Sequence, residues 1–220
     1  MIQTISKTIS FDEFVAWYPE NSVHKYELHN GVIIEMPLGT GDHSEVTGFI
    51  NSKLAVEIDR RELPYSIPGD CLLKLSRDEA GYQPDLIVLD RTTLAKEPRW
   101  KKESVITMGS SVRLAVEVVS TNWQDDYLVK VADYERLGIP EYWVVDYAAL
   151  GGRRFIGNPK QPTISVYQLV DGEYQISQFR GDDIVDSLAF PELKLTAEKI
   201  FLAGLPATDP NLLIVPVSLD

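Results

Sequence analysis

The amino-acid sequence predicts an α/β fold with a mixed central sheet flanked by helices, and with a β-hairpin added at each end of the chain. Residues 113–147 have the pattern of a strand, a helix and a strand with short connections. Such a unit normally joins two parallel strands by a right-handed crossover. Asn30-Gly31 and Asp171-Gly172 each separate two strand-length segments, which is the pattern of a two-residue hairpin.

Length and composition favour one domain. The chain has 220 residues, of which 44% are hydrophobic, enough for one sizeable core. We therefore expect a single domain over residues 1–220, with its core at about 42–147 and a β extension at about 160–205. The sequence shows neither a bilayer-length apolar run nor a targeting segment, so we expect a cytoplasmic protein with no membrane contact. Cys71 is the single cysteine, which excludes an internal disulfide.

The first third of the chain contains two predicted helices and the first hairpin. Ser10 is placed to cap a short helix that ends before Pro19, and the hairpin follows at residues 26–36 with Glu27 in its first strand. Asp42 precedes Glu45 by three residues and is the predicted N-cap of a long helix that reaches about residue 61. Its apolar stripe predicts the core face: Val46, Phe49, Ile50, Leu54 and Ile58.

Two strands are predicted in the middle of the chain. The first covers residues 65–75 and would point Lys74 toward solvent, and the second covers residues 82–90, opened by Pro84 and Asp85. Residues 90–111 show no regular pattern, and we expect an irregular loop beside the functional site.

Two carboxylates stand in or beside apolar strands. Glu117 lies inside the apolar run 114–119, and Asp85 precedes the run 86–89. Pairing of these strands could place both side chains on one face of the sheet. A buried unpaired carboxylate is costly, and two of them repel unless a cation lies between them. Since hard cations prefer oxygen ligands, the pair is interpreted as half of a metal site.

The surrounding motifs resemble a known family. They are PD at 84–85, VEVVS at 116–120, DDYLVKVADYERLGIPEYWVVD at 125–146, YELHNGVIIEMP at 26–37 and GDHSEV at 41–46. Together they resemble the Uma-type restriction endonuclease family of the PD-(D/E)XK nuclease superfamily. The resemblance implies a restriction-endonuclease-like core and hydrolysis of DNA with Mg²⁺ as cofactor, Mn²⁺ being the alternative ion. It also implies that Asp85, Glu117 and the Val118 carbonyl hold the metal.

The catalytic lysine of that superfamily is expected two residues after the glutamate, where this chain has Val119. We expect Lys130, on the following helix, to replace it. Helical periodicity puts Lys130 at the edge of an apolar arc formed by Tyr127, Leu128, Val131, Ala132 and Tyr134. The alternatives are a surface ion pair between Asp126 and Lys130, or Lys74 as the catalytic lysine.

Three further residues are second-tier candidates. Glu27 belongs to the YEL segment of the resemblance, and His43 and Glu45 open the long helix that flanks the sheet in that superfamily. Phosphate contacts are expected from two basic groups, Arg99 with Lys101 and Lys102, and Arg153 with Arg154.

The net charge of −12 opposes the nuclease interpretation, because proteins that bind DNA through its phosphates usually present a basic surface. A second hypothesis is therefore a non-catalytic, dimeric interaction protein that keeps the nuclease fold. The apolar, proline-broken segment 206–220 favours packing on a second copy, so a homodimer is expected.

Overall fold

The computed structural model describes residues 8–20 and 22–205. Its mixed α/β architecture confirms the predicted fold class, although the strands form two sheets instead of one. Within the described residues, no helix is long and apolar enough to cross a bilayer. The segment 206–220, for which packing on a second copy was predicted, lies outside the described residues.

The N-terminal region folds as the sequence predicts. Helix α1 (Phe11–Trp17) is capped by Ser10, which forms a reciprocal capping box with Glu13. Strands β1 (Lys25–His29) and β2 (Val32–Met36) pair as an antiparallel hairpin. The turn between them has positive φ at both central residues, 51° at Asn30 and 77° at Gly31. This is the conformation that the Asn-Gly pair favours.

Helix α2 (Gly41–Arg60) is the long helix expected from the apolar stripe. Its N-cap is Thr40, whose hydroxyl accepts a hydrogen bond from the His43 amide, so the prediction of Asp42 as the cap is wrong. Asp42 instead occupies the first turn, where a carboxylate interacts favourably with the helix dipole. Val46, Ile50 and Leu54 are fully buried.

The two predicted middle strands are each divided between the two sheets. Residues 65–75 form β3 (Tyr65–Ser66) and β4 (Leu72–Lys74), and residues 82–90 form β5 (Gly81–Tyr82) with β6 (Leu86–Asp90). Pro68 and Pro84 lie in the breaks, where each removes a main-chain donor that a continuous strand would need. Asp85 therefore lies at the crossing between the sheets.

Residues 90–111 are more regular than predicted. They contain helices α3 (Arg91–Leu94) and α4 (Trp100–Glu103), strand β7 (Val105–Ile106) and a 3₁₀ turn at Gly109–Ser111. Buried Glu97 organises the segment by accepting hydrogen bonds from the Thr107 and Met108 amides. Arg99 pairs with Asp12 of α1, so this segment is anchored to α1.

The predicted crossover is present. Strand β8 (Val112–Val118) and strand β9 (Glu141–Asp146) are parallel neighbours, joined through a π-helical turn at Asp125–Val129 and helix α5 (Lys130–Leu137). Helix α5 ends at Gly138, whose φ of 82° suits glycine.

The remaining elements extend the larger sheet. Helix α6 (Arg153–Ile156) follows β9, and the second hairpin consists of β10 (Thr163–Val170) and β11 (Glu173–Phe179). Helix α7 (Ala197–Leu202) starts at the N-cap Thr196.

The six-stranded sheet, in the order β11-β10-β9-β8-β6-β3, separates two apolar layers. One layer packs Val46 and Ile50 of α2 and Ile200 of α7 against the sheet. The other layer contains Tyr134 of α5 and Leu73 of β4, which belongs to the smaller sheet β2-β1-β5-β4-β7. The candidate carboxylates face this second layer.

Candidate active site

Asp85 and Glu117 approach each other across two strands. Strands β6 and β8 are antiparallel, with Leu86 opposite Val116 and Ile87 opposite Ala115. Continuing this register by one residue places Asp85 opposite Glu117, so both side chains leave the same face of the sheet. The Asp85 carboxylate also accepts a 2.8 Å hydrogen bond from the Val118 amide. The sequence-based expectation for the pair thus agrees with the register.

His43 contacts Asp85 from the opposite face of the sheet, because it lies in the first turn of α2, which packs on that face. Its Nε2 atom is 3.1 Å from Asp85 Oδ2 and 3.0 Å from the Val118 carbonyl oxygen. Both partners are acceptors, so Nε2 carries the proton and donates. Burial disfavours a charged imidazole, but the hydrogen bond and the charge of Asp85 outweigh burial and raise the pKa of His43.

Lys130 is buried within this cluster, with 3% of its surface exposed. Its Nζ atom lies 3.0 Å from Glu117 Oε1, 3.3 Å from Glu27 Oε1 and 3.7 Å from Asp126 Oδ1. The alternative of a surface ion pair is therefore wrong, since Asp126 is also buried and the lysine has three carboxylate partners.

A π-helical turn precedes Lys130 and changes which side chains point inward. Leu128 is 43% exposed and Ala132 is exposed, although the predicted arc would bury both, whereas Asp126 and Lys130 are buried. A π turn contains an extra residue per turn, so an α-helical periodicity cannot assign its faces. Turns of this kind are frequent at functional sites.

Glu27 and Tyr134 complete the surroundings of the lysine. Glu27 is 1% exposed and accepts hydrogen bonds from the Gln83 amide and from His29. The Tyr134 hydroxyl donates a 3.0 Å hydrogen bond to Glu117 Oε1. The sequence analysis did not identify Tyr134 as a hydrogen-bond donor to Glu117 or Asp126 as a buried carboxylate. The available signal was their spacing, because Asp126 lies four residues before Lys130 and Tyr134 four residues after it.

The electrostatics of the cluster are set by four carboxylates around Lys130, with His43 beside Asp85 and His29 beside Glu27. Burial and the neighbouring carboxylates raise the pKa of Glu117 well above its usual value, although Lys130 opposes the shift. Burial likewise raises the pKa of Asp126 to about 7. Burial disfavours the charged form of Lys130, but the four carboxylates outweigh it and raise the lysine pKa. The cluster is short of positive charge.

Asp85 and Glu27 show the opposite balance. Burial raises their pKa values, but His43 and the Val118 amide at Asp85, and Lys130 and His29 at Glu27, outweigh burial. The pKa of each is therefore lowered, so both carboxylates are ionised at neutral pH.

The donor set fits a hard divalent cation bound mainly through water. Among the described residues, Asp85 Oδ1 and Glu117 Oε2 accept no hydrogen bond, and the Val118 carbonyl contacts the same His43 nitrogen as Asp85 Oδ2 does. Within 8–20 and 22–205 there is no ready-made cage of three or more His, Cys, Asp or Glu side chains. Mg²⁺ needs none, because it is usually bound by one or two carboxylates and keeps several waters.

The other residues considered from the sequence lie apart from the cluster. Glu45 is exposed on α2, and because it is two residues from His43 it points roughly 200° away. Lys74, in strand β4 of the smaller sheet, pairs with Asp78 and lies over the Phe11 ring of α1. Val119 is buried in the apolar layer.

A pocket of about 340 Å³ opens beside the cluster. The hairpin contributes His29 and Ile34, and the segment after β8 contributes Thr121, Asn122 and Asp125. His29 links this pocket to Glu27 by a 2.8 Å hydrogen bond. A larger groove of about 610 Å³, lined by residues of α2 and α7, contains none of the cluster residues.

The sequence matches the Uma2 family, described as "Putative restriction endonuclease", over residues 11–198. The chain belongs to this family. Membership supports a nuclease function, and the matched residues include the whole carboxylate and lysine cluster. No curated protein matches the chain.

A solved structure shares the fold. It is a protein of Anabaena variabilis described as "a putative nuclease belonging to DUF820", 18% identical to this chain. The alignment has a TM-score of 0.69 and covers 90% of this chain and 99% of the other. At this identity the likeness establishes the fold of the Uma2 family member described here.

Proposed function

We propose that this protein is an Mg²⁺-dependent endonuclease that hydrolyses phosphodiester bonds in DNA. The observation that carries the proposal is the opposition of Asp85 and Glu117 across β6 and β8, with Lys130 Nζ 3.0 Å from Glu117. Family membership supports the nuclease activity, and the chemistry of the oxygen donors supports the metal.

Each residue of the cluster has a separate role in the proposal. Asp85, Glu117 and the Val118 carbonyl would hold the ion. When bound, Mg²⁺ supplies Lewis acidity toward a phosphoryl oxygen and toward the attacking water. The charged Lys130 orients that water by hydrogen bonding and stabilises the negative charge that develops on it. His43 fixes the Asp85 carboxylate and the Val118 carbonyl through the hydrogen of its Nε2 atom.

Glu27 and Asp126 hold Lys130 at the end of β8. Both carboxylates lie within 3.7 Å of the Lys130 Nζ atom, and both are buried. Surrounding carboxylates therefore keep the lysine in place and charged. These two residues position the lysine and need not touch the substrate.

Metal binding provides the test. Calorimetric titration with Mg²⁺ and with Mn²⁺ should show binding to the parent protein and its loss in Asp85→Asn and in Glu117→Gln, with plasmid cleavage lost in parallel. Asp78→Asn is the matched control, because Asp78 is an exposed aspartate whose partner is Lys74. Circular dichroism should show that all three variants remain folded.

Two results would overturn the proposal. If both site variants bind the ions as well as the parent does, the metal assignment is wrong. If the parent binds the ions but leaves DNA intact, the chain is not a DNA endonuclease, and the non-catalytic dimeric interaction protein becomes the better hypothesis, to be examined by the mass of the particle in solution.

A further inference from the structure

Two loops flank the candidate site at one edge of the larger sheet. Strands β8 and β9 are parallel, so their carboxyl ends lie at the same edge. Glu117 is the next-to-last residue of β8. Trp123 follows β8, and α6 follows β9 with Arg153, Arg154 and Phe155. These loops thus bring aromatic and basic side chains to the edge of the sheet where the proposed metal ligands lie.

The aromatic side chains form a packed group. The Trp123 and Phe155 rings meet edge to face, with their centroids 6.0 Å apart. Phe155 also stacks on Tyr127, with centroids 4.6 Å apart and planes inclined by 19°. A Cβ atom on Gly152 would lie 2.8 Å from the Trp123 ring, so a larger residue there would displace the indole from its present position. Tyr127 adjoins Asp126, which links the group to the lysine cluster.

Hydrogen bonds fix the loop that precedes α6. The Asp146 carboxylate accepts bonds from the Leu150 and Gly151 amides, each 2.8 Å long. Lys160 Nζ donates a 3.0 Å bond to the Leu150 carbonyl. A surface that is ordered before binding loses less conformational entropy on binding.

Two exposed arginines lie on this surface. Arg153 and Arg154 are exposed, and neither forms a salt bridge with any residue that the structure describes. The guanidinium carbon of Arg154 lies 4.4 Å from the Phe155 ring centroid. Phe155 is stacked on Tyr127 and contacted by the Arg154 guanidinium, whereas half-buried Trp123 meets both Tyr127 and Phe155 edge to face. Exposed guanidinium groups beside an indole whose ring contacts are edge to face suit a ligand with phosphates and flat bases.

We propose that Trp123, Arg153, Arg154 and Phe155, here called the aromatic-arginine platform, bind one unpaired DNA strand beside the phosphate to be cleaved. Trp123 stacks on a base, and the two arginines contact phosphates. The proposal rests on the function proposed above and narrows its substrate to single-stranded or locally unpaired DNA, because a base inside a duplex does not expose its face. It also accounts for DNA binding by an acidic protein through few phosphate contacts.

Fluorescence anisotropy of a labelled single-stranded oligothymidylate tests the platform on the full chain. Ca²⁺ serves as the divalent ion, and the oligonucleotide is checked for cleavage afterwards. The double variant Arg153→Gln, Arg154→Gln should bind more weakly. The slope of log affinity against log salt should also fall by about 1.4, since each single-strand phosphate contact contributes about 0.7. The matched control is Lys194→Gln, Lys199→Gln, which removes two exposed charges beside the groove of α2 and α7 and should leave both values unchanged.

The stacking contact is tested separately with Trp123→Leu. This variant should bind the oligonucleotide roughly 5- to 150-fold more weakly with the same salt slope, since stacking involves no counterion release. Trp17→Leu, which replaces a half-exposed tryptophan of α1, should bind like the parent. Circular dichroism confirms that each variant is folded, and Trp123→Phe, which keeps an aromatic ring, should recover part of the affinity.

The platform and the nuclease proposal fail in different ways. A parent that binds duplex more tightly than single strands, or platform variants that bind like the parent, would overturn the platform even if Asp85-dependent cleavage is observed. If metal binding and cleavage do not depend on Asp85, but the platform variants still bind the oligonucleotide more weakly, only the nuclease proposal would be overturned. Binding of RNA in preference to the same DNA sequence would also refute the assignment to DNA.

Discussion

The Lys130 ammonium lies 3.0 Å from Glu117 Oε1, although the two residues belong to a helix and to the strand before it. Val119, two residues after Glu117, stays in the apolar layer of the core. Helix α5 thus places a lysine beside Glu117, and strand β8 itself has no lysine at this position.

Removal of the Lys130 charge should destabilise the metal-free protein. Lys130→Met should lower the free energy of unfolding by about 3–5 kcal/mol at neutral pH, because buried carboxylates lose their shared cation. Urea unfolding measures the change. Lys74→Met is the control, and its partly exposed pair with Asp78 should contribute at most about 1 kcal/mol. Equal losses in the two variants would show that Lys130 is an ordinary ion-pair partner.

Lys130→Arg separates the position of the ammonium from its charge. Arginine retains the positive charge but spreads it over a larger, planar guanidinium group. We expect DNA cleavage to slow by a factor on the order of 10², because the attacking water is misplaced, while calorimetric Mg²⁺ affinity persists. Lys74→Arg should cleave at the parent rate. An unchanged rate in Lys130→Arg would remove the catalytic role from this lysine.

The pKa of Asp126 predicts a pH dependence of stability. Its folded value of about 7 exceeds the ordinary 3.8 because burial disfavours the charge. Between these values the folded state holds more protons than the unfolded state, so this group lowers stability as pH rises from about 4 to about 7. Asp126→Asn should flatten the dependence, measured without divalent ions. Asp78→Asn, which alters an exposed aspartate paired with Lys74, should preserve the pH profile. A pH profile of Asp126→Asn equal to that of the parent would contradict the prediction.

Cys71 should be unreactive in the folded protein. It is 4% exposed, and burial with the nearby charges of Glu97 and Asp70 raises the pKa of its thiol to about 12. Because the thiolate is the reactive form, a disulfide reagent should modify Cys71 slowly at pH 8 and at the normal rate in urea. Rapid modification without denaturant would show that this part of the core opens.

A close main-chain contact makes Gly109 a sensitive position. A Cβ atom there would lie 2.2 Å from the Leu137 carbonyl oxygen and 2.9 Å from the Gly138 carbonyl oxygen, and both are main-chain atoms. Gly109→Ala should cost about 1–3 kcal/mol in urea unfolding. Gly48→Ala, on the exposed side of α2 with open space around it, should stabilise by up to about 1 kcal/mol. If both variants are destabilised, or both are stabilised, the change at Gly109 is not explained by this contact.

Local chemistry in the sequence was sufficient to predict several elements. The Asn30-Gly31 and Asp171-Gly172 turns both adopt positive φ and close hairpins, because few other residue pairs tolerate that conformation. Ser10 caps α1, and the apolar runs around Glu117 and Tyr142 form parallel strands. The motif PD and Glu117 likewise pointed to a cross-strand carboxylate pair.

Tertiary structure decided where charge is buried. Glu27, Asp85, Glu117 and Asp126 come from four separate segments, and periodicity assigns faces only within one segment. The π-helical turn shifts the faces of the helix, so the sequence placed Lys130 at the edge of an apolar arc when it lies inside the protein. The cluster forms because the two sheets and α5 together supply enough charges and hydrogen bonds to offset the cost of removing Lys130 from water, a balance of long-range contacts that no local pattern contains.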